Sequence, residues 1–357
     1  MLRHLPEEAL PTLLNLFNNL WASTIPVAWK HATFIPIVKP RATPSDPASY
    51  RPIALLNSLC RVFKRLVHDR LQEFYEGSGL VPAHQIGFRP NHSPDDATVY
   101  VRNFISDSFS RHQHTLVVSL DIHKAYDTVW HPALLRKMRN LETPRRIYEY
   151  VFHSLSDHIV STKVNGTTST RIPVTHGLFQ GSPLATDLYR IYSSDMPTVL
   201  PVHPVQFADD TQLLCTTDKV TTSVSALQRN LDVMEDWAHT NQLRFSPAKC
   251  HWSLFGSSKP HPNLISSVNL HICDHPIHYV ANPRILGVIF DPQLTFQPHL
   301  EQVIARSKSQ VVLARFLAYR HHAPRSMIRL LYTHNASVPP SNTELLPGLP
   351  ASTRPSF

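Results

Sequence analysis

Apolar residues recur three or four positions apart in several long segments of the chain. This spacing predicts amphipathic helices over residues 5–22 and 61–77. A further helix is predicted over residues 93–111, which begin with Ser93, a residue type that often caps helices. Residues 132–155 predict two short helices that are broken near Pro144. The predicted apolar face of residues 61–77 consists of Val62, Phe63, Leu66, Val67, Arg70 and Leu71. Further helices are predicted over residues 182–196, 222–243 and 299–318.

Runs of β-branched and apolar residues lie between these helices and predict short strands. Residues 115–122, TLVVSLDI, have the length and composition of a buried strand. In residues 159–174, two β-rich runs flank Asn165-Gly166, a pair favoured in the type I′ turn of a two-residue hairpin. Helices and strand pairs mix without a regular β–α–β alternation, which favours the α+β class. Other predicted strands are 32–40, 283–291, and a strand–turn–strand over 204–215.

The composition is that of a globular chain with a basic surface. Hydrophobic residues make up 42% of the 357 residues and charged residues 17%, which excludes a largely disordered chain. The formal net charge of +8 suggests a polyanionic partner, although a merely basic globular protein has the same signature. The four cysteines form no CxxC pair, so we expect neither a disulfide scaffold nor a zinc ribbon.

Two further features bear on where the protein acts. No apolar run reaches the roughly 18 residues that a membrane helix needs, and the N-terminal segment does not have the pattern of a signal peptide. We therefore expect an intracellular protein with no membrane partner. After residue 334 the sequence becomes rich in Pro and Ser and loses its periodicity, which predicts a disordered tail.

The segment FADDTQLLC holds Asp209 and Asp210 side by side between apolar runs, and Asp121 closes the predicted buried strand. Adjacent carboxylates repel each other unless a cation balances them. If the strand ends converge in one sheet, these oxygens would suit Mg²⁺ or Mn²⁺. A pair of such ions supports in-line displacement at phosphorus. Asp is also a common turn residue, so a purely structural turn remains an alternative.

A second candidate site lies in the segment HICDHPIH. On a strand, His271, Cys273 and His275 would share one face, and with His278 nearby they could bind zinc. However, the chain contains 23 histidines, so such clusters arise by chance, and Pro276 interrupts the pattern.

The segments SLDIHKAYDTV, QGSPLATDLYRIY and FADD occur in this order. With these separations they resemble the reverse transcriptases of non-LTR (LINE-type) retrotransposons, and flanking segments extend the resemblance over residues 5–333. The resemblance implies an α+β right-hand polymerase fold, whose palm contains a small antiparallel sheet. It implies an N-terminal helical extension (1–29), fingers (30–115), a palm (116–290) with a finger insertion at about 130–170, a partial helical thumb (291–334) and the disordered tail (335–357).

The resemblance also implies the residues of a polymerase site. Asp121, Asp209 and Asp210 would bind the two metal ions, with the backbone carbonyl of Ile122 as a further ligand. Lys249 resembles a palm lysine that protonates the departing pyrophosphate. The partners implied are an RNA template, a DNA primer and deoxynucleotides. For such a chain the nucleus and a cytoplasmic ribonucleoprotein are both open.

Other residues would contact the nucleotide and the template. Lys39 and Arg51 would bind the triphosphate, Arg51 as a fork of donors. Gln180 and Gly181 would line the nucleotide and template pocket. Tyr126 would be the steric gate against ribonucleotides, and Arg89 would contact the template. Three of these residues also have a simpler interpretation: Lys39 and Arg51 as solvated loop charges, and Tyr126 as a core aromatic. We expect Asp127 to form a cap or local bond rather than to bind metal.

The sequence departs from the family pattern at a few positions. Thr186 stands where the family usually has Pro, and His92 and Pro94 stand where it has Arg and Thr. These changes affect template contacts and helix placement rather than the metal ligands. Family members usually continue with more apolar helix after RLLYTH, so we expect a fragment of a longer element. Two alternatives to a working polymerase stay open: a non-catalytic nucleic-acid-binding remnant, and a metal-dependent nuclease, which would need neither Tyr126 nor Gln180-Gly181.

Overall fold

The computed structural model describes residues 5–320 except residues 24, 40–42 and 44, and excludes the side chains of 310, 313–315 and 317–320. The predicted tail and the end of the predicted thumb, residues 321–357, lie outside this part. The chain divides into two compact units. The first unit consists of Met1–Phe88, Asp121–Thr198 and Leu231–Ser246. The second consists of Arg89–Leu120, Val199–Asn230 and Pro247–Phe357.

All the helices predicted from apolar spacing are present, and one short helix, α8, was not predicted. None of the helices in the part described is long and apolar enough to cross a membrane. The α-helices are α1 (Leu10–Ala22), α2 (Ser58–Gly77), α3 (Pro94–Ser110), α4 (His131–Asn140), α5 (Arg145–Leu155), α6 (Ala185–Ser193), α7 (Val220–Thr240), α8 (Pro262–Ser266) and α9 (Gln297–Arg320).

The strands are short, and most of them pair with neighbours in two five-stranded sheets. They are β1 (His31–Val38), β2 (Tyr50–Leu55), β3 (His114–Leu120), β4 (His158–Val164), β5 (Thr167–Thr168), β6 (Ile172–Val174), β7 (His203–Phe207), β8 (Asp210–Thr217), β9 (His251–Phe255), β10 (His271–Ile272), β11 (His275–Pro276), β12 (His278–Tyr279), β13 (Arg284–Ile285) and β14 (Val288–Ile289).

Local signals in the sequence explain two of these elements. The Ser93 side chain accepts a hydrogen bond from the Asp96 backbone N–H, and the Asp96 side chain accepts one from the Ser93 backbone, so a capping box starts α3. Asn165 and Gly166, with φ of 47° and 84°, join β4 to β5 as the two residues of the predicted type I′ turn. Both predictions are confirmed.

The first unit contains a sheet in the order β2-β1-β4-β5, with β6 also paired to β4. Strands β1 and β2 are antiparallel and place Ile37 opposite Arg51, whereas β1 and β4 are parallel. One face of this sheet is apolar because Ala32, Ala54 and Val160 pack against the buried Phe179. The opposite face therefore carries Arg51.

The second unit contains a sheet in the order β12-β9-β3-β8-β7. Leu116, Val117 and Val118 of its central strand, β3, are all buried. Both faces of this strand are therefore covered, which explains its continuous apolar sequence. Helix α3 packs against β3, β7 and β8, and Thr115 Oγ1 donates to Ser108 Oγ of this helix at 2.8 Å. The buried strand predicted over residues 115–122 is confirmed.

Two predictions about local structure were wrong. The buried face of α2 is rotated from the predicted one: Leu66 is 46% exposed, whereas Lys64 is buried. Residues 283–291 are not one strand, because the backbone turns at Leu286 and Gly287, where φ is 46° and 95°, and β13 pairs with β14.

Residues 271–278 form a turn, whereas a shared face of His271, Cys273 and His275 would require one strand. Cys273 and Asp274 have φ of 50° and 60°, and β10 pairs with β11 across them. The His275 Nδ1 atom lies 2.6 Å from the Cys273 carbonyl oxygen. His271, Cys273 and His275 therefore do not share one strand face.

Candidate functional site

The two adjacent aspartates lie at a tight turn of the second unit. Strand β7 ends at Phe207, which pairs with Asp210 at the start of β8, so Ala208 and Asp209 form a two-residue turn. Ala208 is buried and has φ of 61°, a conformation that is unfavourable for a residue with a side chain. Such a conformation persists only where the surrounding structure holds it. The turn therefore places the backbone of Asp209 and Asp210 at the end of a sheet.

The neighbouring strand β3 ends at the level of this turn. Leu120 pairs with Thr211, the residue that follows Asp210, and the next residue in the chain is Asp121. On the other side of β3, Ser119 pairs with His251 at the start of β9, two residues after Lys249. The register therefore brings the end of β3 and the start of β8 to the same level of the sheet in the second unit.

Within the first unit, a short backbone ladder holds Asp121 and Ile122. Ser246 N–H donates to the Asp121 carbonyl at 2.8 Å, and His123 N–H donates to the Arg244 carbonyl at 2.8 Å. These bonds flank the bridge between Ile122 and Phe245. The residues on either side of this bridge make its two backbone hydrogen bonds, so the pairing with Phe245 does not use the carbonyl group of Ile122.

Lys39 and Arg51 share one face of the β1–β2 hairpin in the first unit. Arg51 is exposed and pairs with Ile37, two residues before Lys39, so side-chain alternation places both cations on the same face. Lys39 Nζ donates to the Ala48 carbonyl at 2.8 Å. This exposed bond lies beside the end of the hairpin and is compatible both with a binding role for Lys39 and with a solvated loop charge.

The Gln180-Gly181 segment lies against the same hairpin. The Ala54 N–H donates to the Gln180 carbonyl at 2.8 Å. A Cβ atom on Gly181, where φ is +99°, would lie 3.3 Å from the Ala54 carbonyl oxygen and 3.5 Å from Ile53 Cγ2. Ile53 is two residues after Arg51 and lies on the same face. The first unit thus brings the backbone of Gly181 to the hairpin face that carries Arg51.

Tyr126 and Asp127 are tied to the same segment by contacts that sequence reasoning did not find. The ring of Tyr126 stacks on the buried ring of Tyr189, with centroids 4.8 Å apart. Leu178 N–H donates to the Tyr126 carbonyl at 2.7 Å. The Asp127 carboxylate accepts from Gln180 Nε2 at 3.2 Å, a contact across 53 positions rather than the local bond that we expected.

Gly177 is a further residue that sequence reasoning missed. Its φ is +87°, and a Cβ atom there would lie 2.7 Å from the Asp127 carbonyl oxygen. The Gly177 N–H donates to the Val129 carbonyl at 2.8 Å, and His131 Nε2 lies 2.8 Å from the Gly177 carbonyl oxygen. A Gly four residues before Gly181 was the available signal, but its meaning depends on a partner that is distant in sequence.

Lys249 and Arg89 belong to the second unit. Lys249 is exposed and lies in a turn in which Cys250 N–H donates to the Pro247 carbonyl at 3.2 Å. The Lys249 carbonyl lies 3.2 Å from His251 Nδ1, and burial lowers the pKa of His251. Arg89 is half-buried and precedes α3, with its carbonyl accepting from His92 N–H at 3.2 Å.

The donor chemistry of the carboxylates fits a hard divalent cation, since Asp209 and Asp210 supply only oxygen atoms. In the residues that the structure describes, no group of three or more His, Cys, Asp or Glu side chains is arranged to hold a metal ion.

The departures from the family pattern at Thr186 and Pro94 do not prevent helix formation, because α6 and α3 contain these residues.

The sequence of this chain is similar to a family model and to several known proteins. Residues 37–290 match the family model described as reverse transcriptase (RNA-dependent DNA polymerase). The chain is 33% identical over 339 residues to an RNA-directed DNA polymerase from the mobile element jockey of Drosophila melanogaster, covering 92% of this chain and 36% of that protein. It is 29% identical over 330 residues to a probable RNA-directed DNA polymerase from transposon BS of the same species, covering 89% and 36%.

The fold is also similar to that of a solved structure. Apo telomerase from Candida tropicalis, truncated from its C-terminal domain, superposes with a TM-score of 0.51 at 10% identity, over 79% of this chain and 59% of that chain. This likeness supports the α+β right-hand polymerase fold. The chain spans about a third of the length of the two Drosophila proteins. The match over residues 37–290 shows that the chain belongs to the reverse transcriptase (RNA-dependent DNA polymerase) family.

Proposed function

We propose that this chain is an RNA-directed DNA polymerase domain that adds deoxynucleotides to a DNA primer on an RNA template. The observation that carries the proposal is the β7–β8 hairpin, whose strained turn presents Asp209 and Asp210 at the end of a sheet in a member of this family. The neighbouring strand β3 leads directly into Asp121.

Asp121, Asp209 and Asp210 would hold divalent metal ions, Mg²⁺ or Mn²⁺, with the carbonyl of Ile122 as a further ligand. Bound ions of this kind lower the pKa of the attacking hydroxyl and neutralise charge on the leaving oxygen. Lys249 would donate a proton to the pyrophosphate. The carboxylates orient the reacting groups, and the rigid turn limits the reorganisation that binding requires.

The hairpin face in the first unit would bind the incoming nucleotide. Arg51 would pair with a phosphate through two parallel donors, and Lys39 would act as a point charge. Gln180 and Gly181 would let the backbone approach the base closely. Tyr126, whose ring is fixed by stacking on Tyr189, would exclude a 2′-hydroxyl. Arg89 would contact the template.

The test is deoxynucleotide incorporation on a poly(rA)/oligo(dT) duplex with Mg²⁺. We expect the wild-type chain to be active and Asp209→Asn to lose nearly all activity, because one carboxylate charge is removed with little change in shape. Asp218→Asn is the matched control, since Asp218 follows the other end of β8 and accepts from Gln113. It should keep wild-type activity.

Three other outcomes are informative. Equal activity of the wild type and Asp209→Asn would overturn the assignment of the turn. A folded wild-type chain that binds the duplex at low salt but adds no nucleotide would favour a binding remnant. Cleavage of the duplex without synthesis would favour a nuclease, which is the third alternative.

A further inference from the structure

Lys64 is a buried cation without a partner in the part of the chain that the structure describes. It lies on α2 and is only 5% exposed, and its ammonium group forms no hydrogen bond or ion pair there. Burial lowers the pKa of Lys64, and a thiolate at Cys60, one helical turn earlier, would oppose this shift, but burial raises the pKa of that thiol. A charged ammonium group in an apolar interior is unstable unless something compensates it.

The Lys64 side chain lines a small cavity within the first unit. The volume of this cavity is about 20 Å³, which is enough for one water molecule or one ion of similar size. Its polar lining consists of Lys64, Ser154, His158 and Ser182, and the remainder is apolar side chains and the backbone of residues 177–179. The lining contains no Asp or Glu.

The other groups around the cavity add no negative charge. The His158 ring stacks on Phe179 with centroids 4.6 Å apart, and burial lowers the pKa of His158 to about 3, so the ring is neutral at neutral pH. Leu184 and Ala185, at the start of α6, also line the cavity, and a helix start carries partial positive charge. The nearby Asp187 is already paired with His68 and Arg190.

We propose that this cavity binds one small monovalent anion of halide size, with Lys64 Nζ as its charged ligand. The anion would compensate the buried ammonium group and occupy the space that the Lys64 side chain lines. Residues 177–179 and Ser182, which flank Gln180 and Gly181, line this cavity, so the anion would help to hold that segment in place. The inference does not depend on polymerase activity.

The experiment compares thermal unfolding in sodium chloride or bromide with unfolding in sodium glutamate at equal ionic strength. Glutamate is too large to enter the cavity. We expect the midpoint of the wild-type chain to rise by about 2–4 °C in the halide. Lys64→Met should lose this increment. Lys163→Met is the matched control, because Lys163 is an exposed lysine of the same unit, and it should keep the increment.

If the halide raises the unfolding midpoint of the wild type and of Lys64→Met equally, the proposal is overturned. The cavity would then hold a water molecule beside the amine rather than an anion. If Lys64→Met does not fold, the chloride-35 NMR linewidth of the wild-type chain decides. With sodium glutamate present in excess to occupy surface cations, broadening that bromide displaces supports the site. Broadening that is absent, or that bromide does not displace, overturns it.

Discussion

Gly177 shows how one residue fixes the geometry of the candidate site. It combines φ of +87° with a backbone contact that leaves no room for a Cβ atom. The strand-like bonds from Gly177 to Val129 and from Leu178 to Tyr126 depend on this close approach. The position of the Tyr126 ring therefore depends on a glycine 51 positions later in the chain.

We expect Gly177→Ala to lower the free energy of unfolding by about 3 kcal/mol, because strain at positive φ adds to the overlap with the Asp127 carbonyl. Gly166→Ala is the control. Gly166 has φ of +84° but nothing within 4 Å of its Cβ position, so this variant pays only the conformational cost of about 1 kcal/mol. Denaturant unfolding measures both, and equal losses would contradict the role of the contact.

His158 predicts an acid-dependent loss of stability. Burial, followed by the charge of Lys64, lowers its pKa from 6.5 to about 3, and only Asp157 opposes these effects. The unfolded chain binds a proton below pH 6.5 whereas the folded chain does not. The contribution of His158 is therefore complete above pH 6.5 and is lost as pH falls toward 3, by at most about 1.4 kcal/mol per pH unit.

The measurement is the free energy of unfolding between pH 7 and pH 4. His158→Gln should flatten the wild-type slope in this window, because the glutamine does not titrate. His176→Gln replaces an exposed histidine of the same unit and should leave the slope unchanged. A wild-type slope that survives in His158→Gln would assign the acid sensitivity to carboxylates instead.

At the scale of elements, a buried lysine joins three helical segments of the first unit. Lys137 Nζ on α4 donates to the Tyr192 carbonyl at 2.5 Å and to Asp195 Oδ1 at 2.6 Å. It also lies 4.8 Å and 5.2 Å from the ring centroids of Tyr192 and Trp237. Trp237 Nε1 on α7 donates to the same Asp195 oxygen at 2.9 Å. Asp195 is thus the common acceptor for two helices.

We expect Asp195→Asn to lower the free energy of unfolding by about 1–2 kcal/mol, since it leaves the buried Lys137 cation without a charged partner. Asp157→Asn breaks the Lys30 bridge, whose aspartate side chain is 85% exposed, and should cost less than about 0.5 kcal/mol. Chemical denaturation of the two variants gives the comparison. A larger loss for Asp157→Asn would contradict this account.

The elements also show which features a sequence can predict. The capping box at Ser93 and the Asn165-Gly166 turn depend on residues within a few positions of each other, so local chemistry was sufficient. The turn at Leu286-Gly287 was not predicted, because this single glycine lies within an apolar run, residues 283–291, that is typical of a strand. The buried face of α2 was misassigned because Lys64 was counted as polar, although its environment is set by α5 and by residues 177–185.

At the scale of the whole molecule, the ordered motifs predicted the family and the fold, because such an ordered set is far more specific than any single motif. They did not predict the contacts of the Gln180-Gly181 segment within the first unit. Gln180 meets Asp127, and Gly181 meets Ala54, across distances in sequence that no periodicity encodes. These contacts follow from the packing of distant segments, which local propensity does not determine.

The net charge of +8 gives the prediction that belongs to the molecule as a whole. If Lys and Arg residues neutralise phosphates of an RNA–DNA duplex, the logarithm of the binding constant should fall linearly with the logarithm of salt concentration. Arg89→Gln should make this slope shallower by about one if Arg89 contacts a phosphate. Filter binding over a series of salt concentrations measures the slope.

Asp209→Asn separates this binding from catalysis. It should keep the wild-type slope, because the carboxylate does not release counterions from the duplex, while nucleotide addition is lost. A chain whose affinity is independent of salt would not bind through its basic surface, and the net charge would then reflect composition alone. An Asp209→Asn variant that loses binding together with activity would place the turn in duplex binding rather than in the chemical step.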